Sequence, residues 1–235
     1  MLNILFLGLA TLFIFRKGGI SYLSTKIFQV LNAKRKGLPV ADETYYLHQK
    51  SQFEILPKSN LEIIFLGDSI TDECEWSELL RNFNVKNRGI SGDTTNGILN
   101  RLSDLLKSNP KKIFLMVGIN DFLHTSKSVE QIFVDYEKIV TTVRDDSQNT
   151  ELFIQSVLPV NNSKYKIKVN NENVVKLNER LQELATDTSC QYIDLFPHLS
   201  DSQNQLDSRY TWDGIHLNGQ AYLVWKQVIE KYIVD

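Results

Sequence analysis

The chain predicts a three-layer α/β/α fold with a central parallel sheet of about five strands. Two observations predict it. Short apolar runs alternate with helix-length amphipathic segments, the rhythm of βαβ units. Several of these runs are apolar at successive positions, as strands covered by helices on both faces must be. A chain of 235 residues is long enough to bury one sizeable core.

The elements follow in order. A helical stretch, "ETYYLHQKSQFEIL", leads to Pro57, and the β/α rhythm starts there. Strand character appears at 61–67, 85–90, 111–118, 151–159 and 190–195. Helix-like segments separate or follow them at 72–82, 94–108, 128–146, 171–187 and 218–233. In 171–187, Val174, Leu177, Leu181 and Leu184 recur at three- and four-residue spacing and make one apolar face. Tyr222, Trp225, Val228 and Ile229 do the same in 218–233. The Asn-rich segment 160–173 reads as a surface loop.

The N-terminus is a separate matter. Met1 to Phe15 is apolar apart from Asn3 and Thr11, and Arg16 and Lys17 follow. Extended to Leu23, with those two snorkelling, the segment makes a marginal membrane span. Residues 1–23 are therefore expected to form a membrane anchor, 24–42 a basic connector and 43–235 the globular domain. A cleavable signal peptide fits less well, because no basic region precedes the apolar run. The basic residues lie after it, which favours a cytoplasmic location for the following domain over an exported or periplasmic one.

Composition excludes several classes. A formal charge of -2 gives no electrostatic footprint for nucleic acid. Two cysteines, Cys74 and Cys190, are too few for a disulfide framework and lack metal-site spacing. No metal or cofactor is expected. The first strand runs into Gly67-Asp68-Ser69 without a G-x-G-x-x-G, so a dinucleotide fold does not fit. Nor does Leu66-Gly67-Asp68-Ser69-Ile70-Thr71 match the G-x-S-x-G elbow of α/β-hydrolases.

Polar corners follow the strands. After the first stands Ser69, after the second "GISGDTT" (89–95), after the third "GIND" (118–121), and before the last helix "WDGIHL" (212–217). A parallel sheet gathers such corners along one edge, where open α/β sheets bind ligands. Together they suit acyl transfer. A serine hydroxyl needs a base, which His216 can supply, and Asp213 can orient that base. Candidate oxyanion donors are the Ser69 N–H, the Gly92 N–H and the Asn120 amide. Singly, each has a plainer reading: Ser69 as a helix cap with Asp72 in a capping-box-like spacing, Gly92 as a turn glycine, and Asn120 in an Asx turn. Asp68 is expected to shape the serine turn, at the border of the substrate site. Trp76, Tyr210 and Trp212 are candidate pocket residues, with core packing equally open to each.

These blocks resemble the GDSL, or SGNH, hydrolase superfamily. "FLGDSIT" resembles its first block with Ser69 as nucleophile, and "NRGISGDTT" its second with Gly92 as donor. "VGIND" resembles the third with Asn120, and "DGIHL" the last with Asp213 and His216. Leu217 stands where many members have proline. "GDTT" and the block spacing resemble the platelet-activating-factor acetylhydrolase-like branch. The resemblance implies a flavodoxin-like fold, no metal, and hydrolysis of small acyl esters, often acetyl, on a lipid or a sugar. It leaves lysophospholipase or thioesterase activity open, and also a homodimer. A rival of another class is a catalytically silent glycan- or lipid-binding module, which would not need all these groups intact.

Overall fold

A computed structural model describes residues 42–233. The expected anchor and nearly all of the connector lie outside the described residues. Among those described, no helix is long and apolar enough to cross a membrane.

Helix α1 (Glu43–Ile55) starts at an Asp42 cap whose carboxylate accepts the Tyr45 N–H at 2.8 Å. Strand β1 (Ile63–Gly67) is buried at every position. Two short helices, α2 (Ser69–Asp72) and α3 (Trp76–Leu79), carry the chain to β2 (Val85–Gly89). The sequence predicts one helix-like segment over 72–82. The chain instead turns helical at Ser69, directly after the strand, and breaks at residues 73–75.

Beyond β2 lie α4 (Thr95–Leu106), β3 (Lys112–Met116), a π-helical turn (Asp121–Thr125) and α5 (Val129–Asp146). Then come β4 (Glu151–Gln155), α6 (Asn171–Asp187), β5 (Gln191–Ile193), the single turn α7 (Phe196–Leu199) and α8 (Gly219–Ile229). A closing 3₁₀ turn spans Glu230–Tyr232.

The five strands are all parallel in the order β2-β1-β3-β4-β5. The expected three-layer fold is the one found. Helices α1, α4, α5 and α6 line one face through their mutual packing. On the other face the register aligns Phe65, Phe114 and Phe153 across β1, β3 and β4, with rings stacked at 4.9 and 4.5 Å. Trp76 stacks on Phe65 at 4.1 Å and meets Trp225 of α8 edge-on at 4.8 Å. This column ties α3 and α8 to the sheet. Emptying the wholly buried Trp225 position with alanine would cost about 3–5 kcal/mol.

The strand order reverses between β1 and β3, one neighbour each way from β1. At such a switch point the loops leaving two adjacent strands diverge and open a crevice beyond their carboxyl ends. Ser69 and Asn120 leave the sheet at that point.

Candidate active site

The serine corner is shaped by Asp68. Its carboxylate accepts the Ile70 N–H at 3.1 Å, so Asp68, not Ser69, caps α2. Ser69 becomes the first helical residue, and its hydroxyl is free for another partner. That partner is His216, whose Nε2 lies 3.0 Å from Ser69 Oγ. The His216 Nδ1 lies 2.6 Å from Asp213 Oδ2. An ionised carboxylate can only accept, so Nδ1–H donates to Asp213, and Nε2 accepts the Ser69 hydroxyl proton.

Asp213 is held by its own turn. Its Oδ1 accepts the Ile215 N–H at 2.9 Å and the His216 N–H at 2.8 Å. Partial desolvation pushes its carboxyl up. The His216 ring and these two N–H donors outweigh that and hold it at about 2. The turn also needs Gly214, whose φ is 88° and whose missing side chain leaves room for Tyr165 and Ile167. Thr211 Oγ1 accepts the Gly214 N–H at 2.8 Å.

The candidate oxyanion donors sit across from this pair. Ile90 to Asp93 form a type II turn, closed by Asp93 N–H on Ile90 O at 3.0 Å, with Gly92 at φ 79°. Gly92 is thus a turn glycine, half-buried at the strand end. Asn120 is buried, and its Nδ2 donates to Asp93 O at 3.0 Å, which leaves its second N–H available.

Beneath lie three buried carboxylates. Burial pushes Asp68 up to about 7; nearby Asp93 and Asp121 add to this, while the Ile70 N–H and His216 oppose it. Burial also pushes Asp93 up to about 6 against the pull of Arg101. Arg101 binds Asp93 at 2.8 Å and reaches the Gly67 carbonyl at 3.1 Å. Asp121 accepts from the Thr95 N–H and hydroxyl at 2.9 and 2.7 Å, and it pairs with Lys127 at 2.8 Å.

Ser69, Gly92, Asn120, Asp213 and His216 are therefore gathered at one edge, and Asp68 sits directly beneath them. Trp76 is not there. It is 1% exposed, inside the aromatic column, with its Nε1–H donating to Thr71 O at 2.9 Å. Its size and apolarity suited the core better than a pocket. Tyr210 packs at the core boundary. Trp212 is 83% exposed next to Asp213.

Segment 160–173 also departs from a plain surface loop. Val160, Asn161 and Val169 are buried, and the Asn161 N–H donates to Gly214 O at 2.8 Å. This stretch buttresses the Asp213 turn. Sequence reading missed that support, together with Thr211 and the Asp93–Arg101 pair. The one available signal was Arg101, a charge on the otherwise apolar face of α4.

A parallel sheet in flavodoxin-like order, with Ser, His and Asp in line at its switch point, defines a class: the α/β/α ester hydrolases. The chain belongs to the GDSL-like lipase/acylhydrolase family, whose model matches residues 65–224. It is accordingly a carboxylic ester hydrolase. It is 28% identical over 167 residues to the alpha1 subunit of platelet-activating factor acetylhydrolase IB from Bos taurus, covering 68% of this chain and 70% of the relative. A solved structure from Streptococcus pneumonia, provisionally described as a platelet activating factor, superposes with a TM-score of 0.73 at 28% identity. That match covers 81% of this chain and 93% of the other. An acetylxylan esterase from Geobacillus stearothermophilus shares the fold, with a TM-score of 0.59 at 16% identity over 76% of this chain and 96% of its own.

Proposed function

We propose that the protein hydrolyses small acyl esters, acetyl esters foremost, with Ser69 as nucleophile. The observation that carries this is the continuous hydrogen-bonded line Ser69 Oγ, His216, Asp213, at 3.0 and 2.6 Å. Ser69 Oγ attacks the ester carbonyl while its proton passes to His216 Nε2. Asp213, ionised throughout the neutral range, orients the ring and stabilises the imidazolium. The carbonyl electron pair moves to oxygen, where the N–H groups of Ser69 and Gly92 and the Asn120 amide receive it. When the intermediate collapses, the C–O bond to the alcohol breaks and His216 returns the proton to the departing oxygen. Water then attacks the acyl-serine with His216 as base and releases the acid and Ser69.

The acetyl preference draws support from relatives named acetylhydrolase and acetylxylan esterase. A fluorophosphonate is expected to label Ser69, and Ser69→Ala to abolish p-nitrophenyl acetate hydrolysis. Unchanged turnover in that variant would sink the reading. Profiling C2 to C12 esters separates it from a lysophospholipase, which would peak at long chains. Residues 1–23 are proposed to hold the enzyme at a membrane. Their deletion should move it from the membrane to the soluble fraction, and a full-length protein found soluble would overturn that.

A further inference from the structure

One carboxylate oxygen joins the helix that carries Ser69 to the turn that presents Gly92. Asp72 closes α2, three residues after Ser69. Its Oδ2 accepts the Ser91 N–H at 3.1 Å, the Ser91 Oγ–H at 2.7 Å and the Tyr45 Oη–H at 2.8 Å. Ser91 directly precedes Gly92 in the type II turn. We propose that Tyr45 and Asp72 are positioning residues of the oxyanion hole, clamping the Ser91–Gly92 turn against α2 so that the Ser69 and Gly92 N–H groups converge on one oxygen. The proposal rests on the esterase reading.

The physical need is plain. Two N–H donors on separate elements stabilise one oxyanion only when held to within about 0.5 Å of the productive geometry. A type II turn closed by a single backbone bond sets its own shape but not its distance from a neighbouring helix. The far side of this turn is already tied, because Asn120 Nδ2 donates to Asp93 O at 3.0 Å. The near side is tied by the Ile90 N–H, which donates to Gly67 O at 3.1 Å, and by Asp72, which accepts both polar hydrogens of Ser91. α2 is itself pinned to β2 by Asn87 Nδ2, which donates to the carbonyls of Thr71, Asp72 and Cys74 at 2.9–3.1 Å. Ser69 and Gly92 are thereby parts of one braced corner.

Tyr45 completes the brace from an unexpected direction. It belongs to the first turn of α1, upstream of the residues matched by the family model. α1 is seated by Tyr46, whose hydroxyl donates to Gly97 O at 2.8 Å, and by Arg88 stacked 5.0 Å over Phe53. Desolvation and the adjacent Asp72 push the Tyr45 phenol up to about 12. It remains a proton donor at any working pH. With three donors on it, Asp72 Oδ2 has no tendency to swing towards solvent and release the turn.

The test uses the full chain, p-nitrophenyl acetate and the transition-state mimic trifluoroacetone. Asp72→Asn is expected to lower kcat about 10-fold and Tyr45→Phe about 3-fold, each less than the ~10²–10³ of losing a donor outright. KM should stay within about twofold, and trifluoroacetone should weaken by the same factor as kcat falls. Because Tyr45 acts through Asp72, the double variant should be no slower than Asp72→Asn alone. Were Asp72→Asn not to fold, Ser91→Ala, which keeps the N–H and drops one of the three donors, should lose about 3-fold. Turnover that persists in Ser69→Ala would overturn the underlying esterase reading. Ser69-dependent turnover with wild-type kcat in Tyr45→Phe and Ser91→Ala would overturn the clamp alone. So would additive losses, or losses in KM with trifluoroacetone binding unchanged.

Discussion

Ser69, Gly92 and Asn120 stand on strand ends above carboxylates sealed from water, whereas Asp213 and His216 stand on a turn open to solvent. The side chains of Asp213 and His216 are 52% and 37% exposed, while Asp68, Asp93 and Asp121 are buried. The first half is built by the sheet: three chain segments leave adjacent parallel strands and are cross-tied by Arg101, Lys127 and Asn120. The second half is built locally, by Thr211, Gly214 and the buttress of residues 160–170. In the proposed mechanism, the groups that would receive the oxyanion and those that would move the proton are thus supported separately. The first set draws on the stability of the whole domain, and the second on one turn.

The strongest way to break that contrast is His216→Ala. It should lower kcat by about 10⁴ or more yet leave the thermal midpoint within about 2 °C of wild type. A midpoint lowered by much more than that would show that the turn is coupled to the rest of the domain. Arg101→Met tests the buried half from the other side. It strands the Asp93 carboxylate and the Gly67 carbonyl, so urea unfolding should reveal a loss of about 3–5 kcal/mol. Next comes Asn120→Ala, expected to cost about 10²–10³ in kcat with KM little changed, as steady-state kinetics would show. Thr211→Val is smaller. Losing the bond to the Gly214 N–H should cost about 1 kcal/mol in stability and lower kcat only several-fold.

The smallest effect is one of pH. Asp68 ionises near 4 in the unfolded chain but only at about 7 when buried. Between those values the native state binds the extra proton, so this group makes stability fall as pH rises, and the effect levels off above 7. Asp213 has the opposite sign: its stabilising contribution is present above about 4 and is lost as pH falls through about 2. Asp68→Asn, which can still cap α2, should therefore raise the midpoint at pH 8 by about 2–4 °C and do little at pH 4. Equal shifts at both pH values would show that Asp68 ionisation is not the cause.

Much of this molecule was legible in its residues. Strands and long helices were readable because burial on both faces leaves unbroken apolar runs, and because α6 and α8 expose their periodicity directly. The short pieces were not. The break between α2 and α3 depends on where Trp76 finds Phe65 and Trp225, and Trp76 itself read as equally fit for a pocket. The cap lies one residue before the plainer reading of Ser69 would put it, since Asp68 and Ser69 have the same capping propensity and only the His216 ring claims the serine hydroxyl.

By itself the sequence determined the fold class, the family and the set of groups brought to the sheet edge, because motifs placed after successive parallel strands meet wherever such a sheet forms. Only the tertiary structure decided what holds them there: Asp72 between Ser91 and Tyr45, Arg101 beneath Gly67, Asn161 behind Gly214. These partners lie 19 to 53 residues apart, with no pattern to link them. Their pairing follows from hydrogen-bonding needs that arise only once the polar groups have lost water.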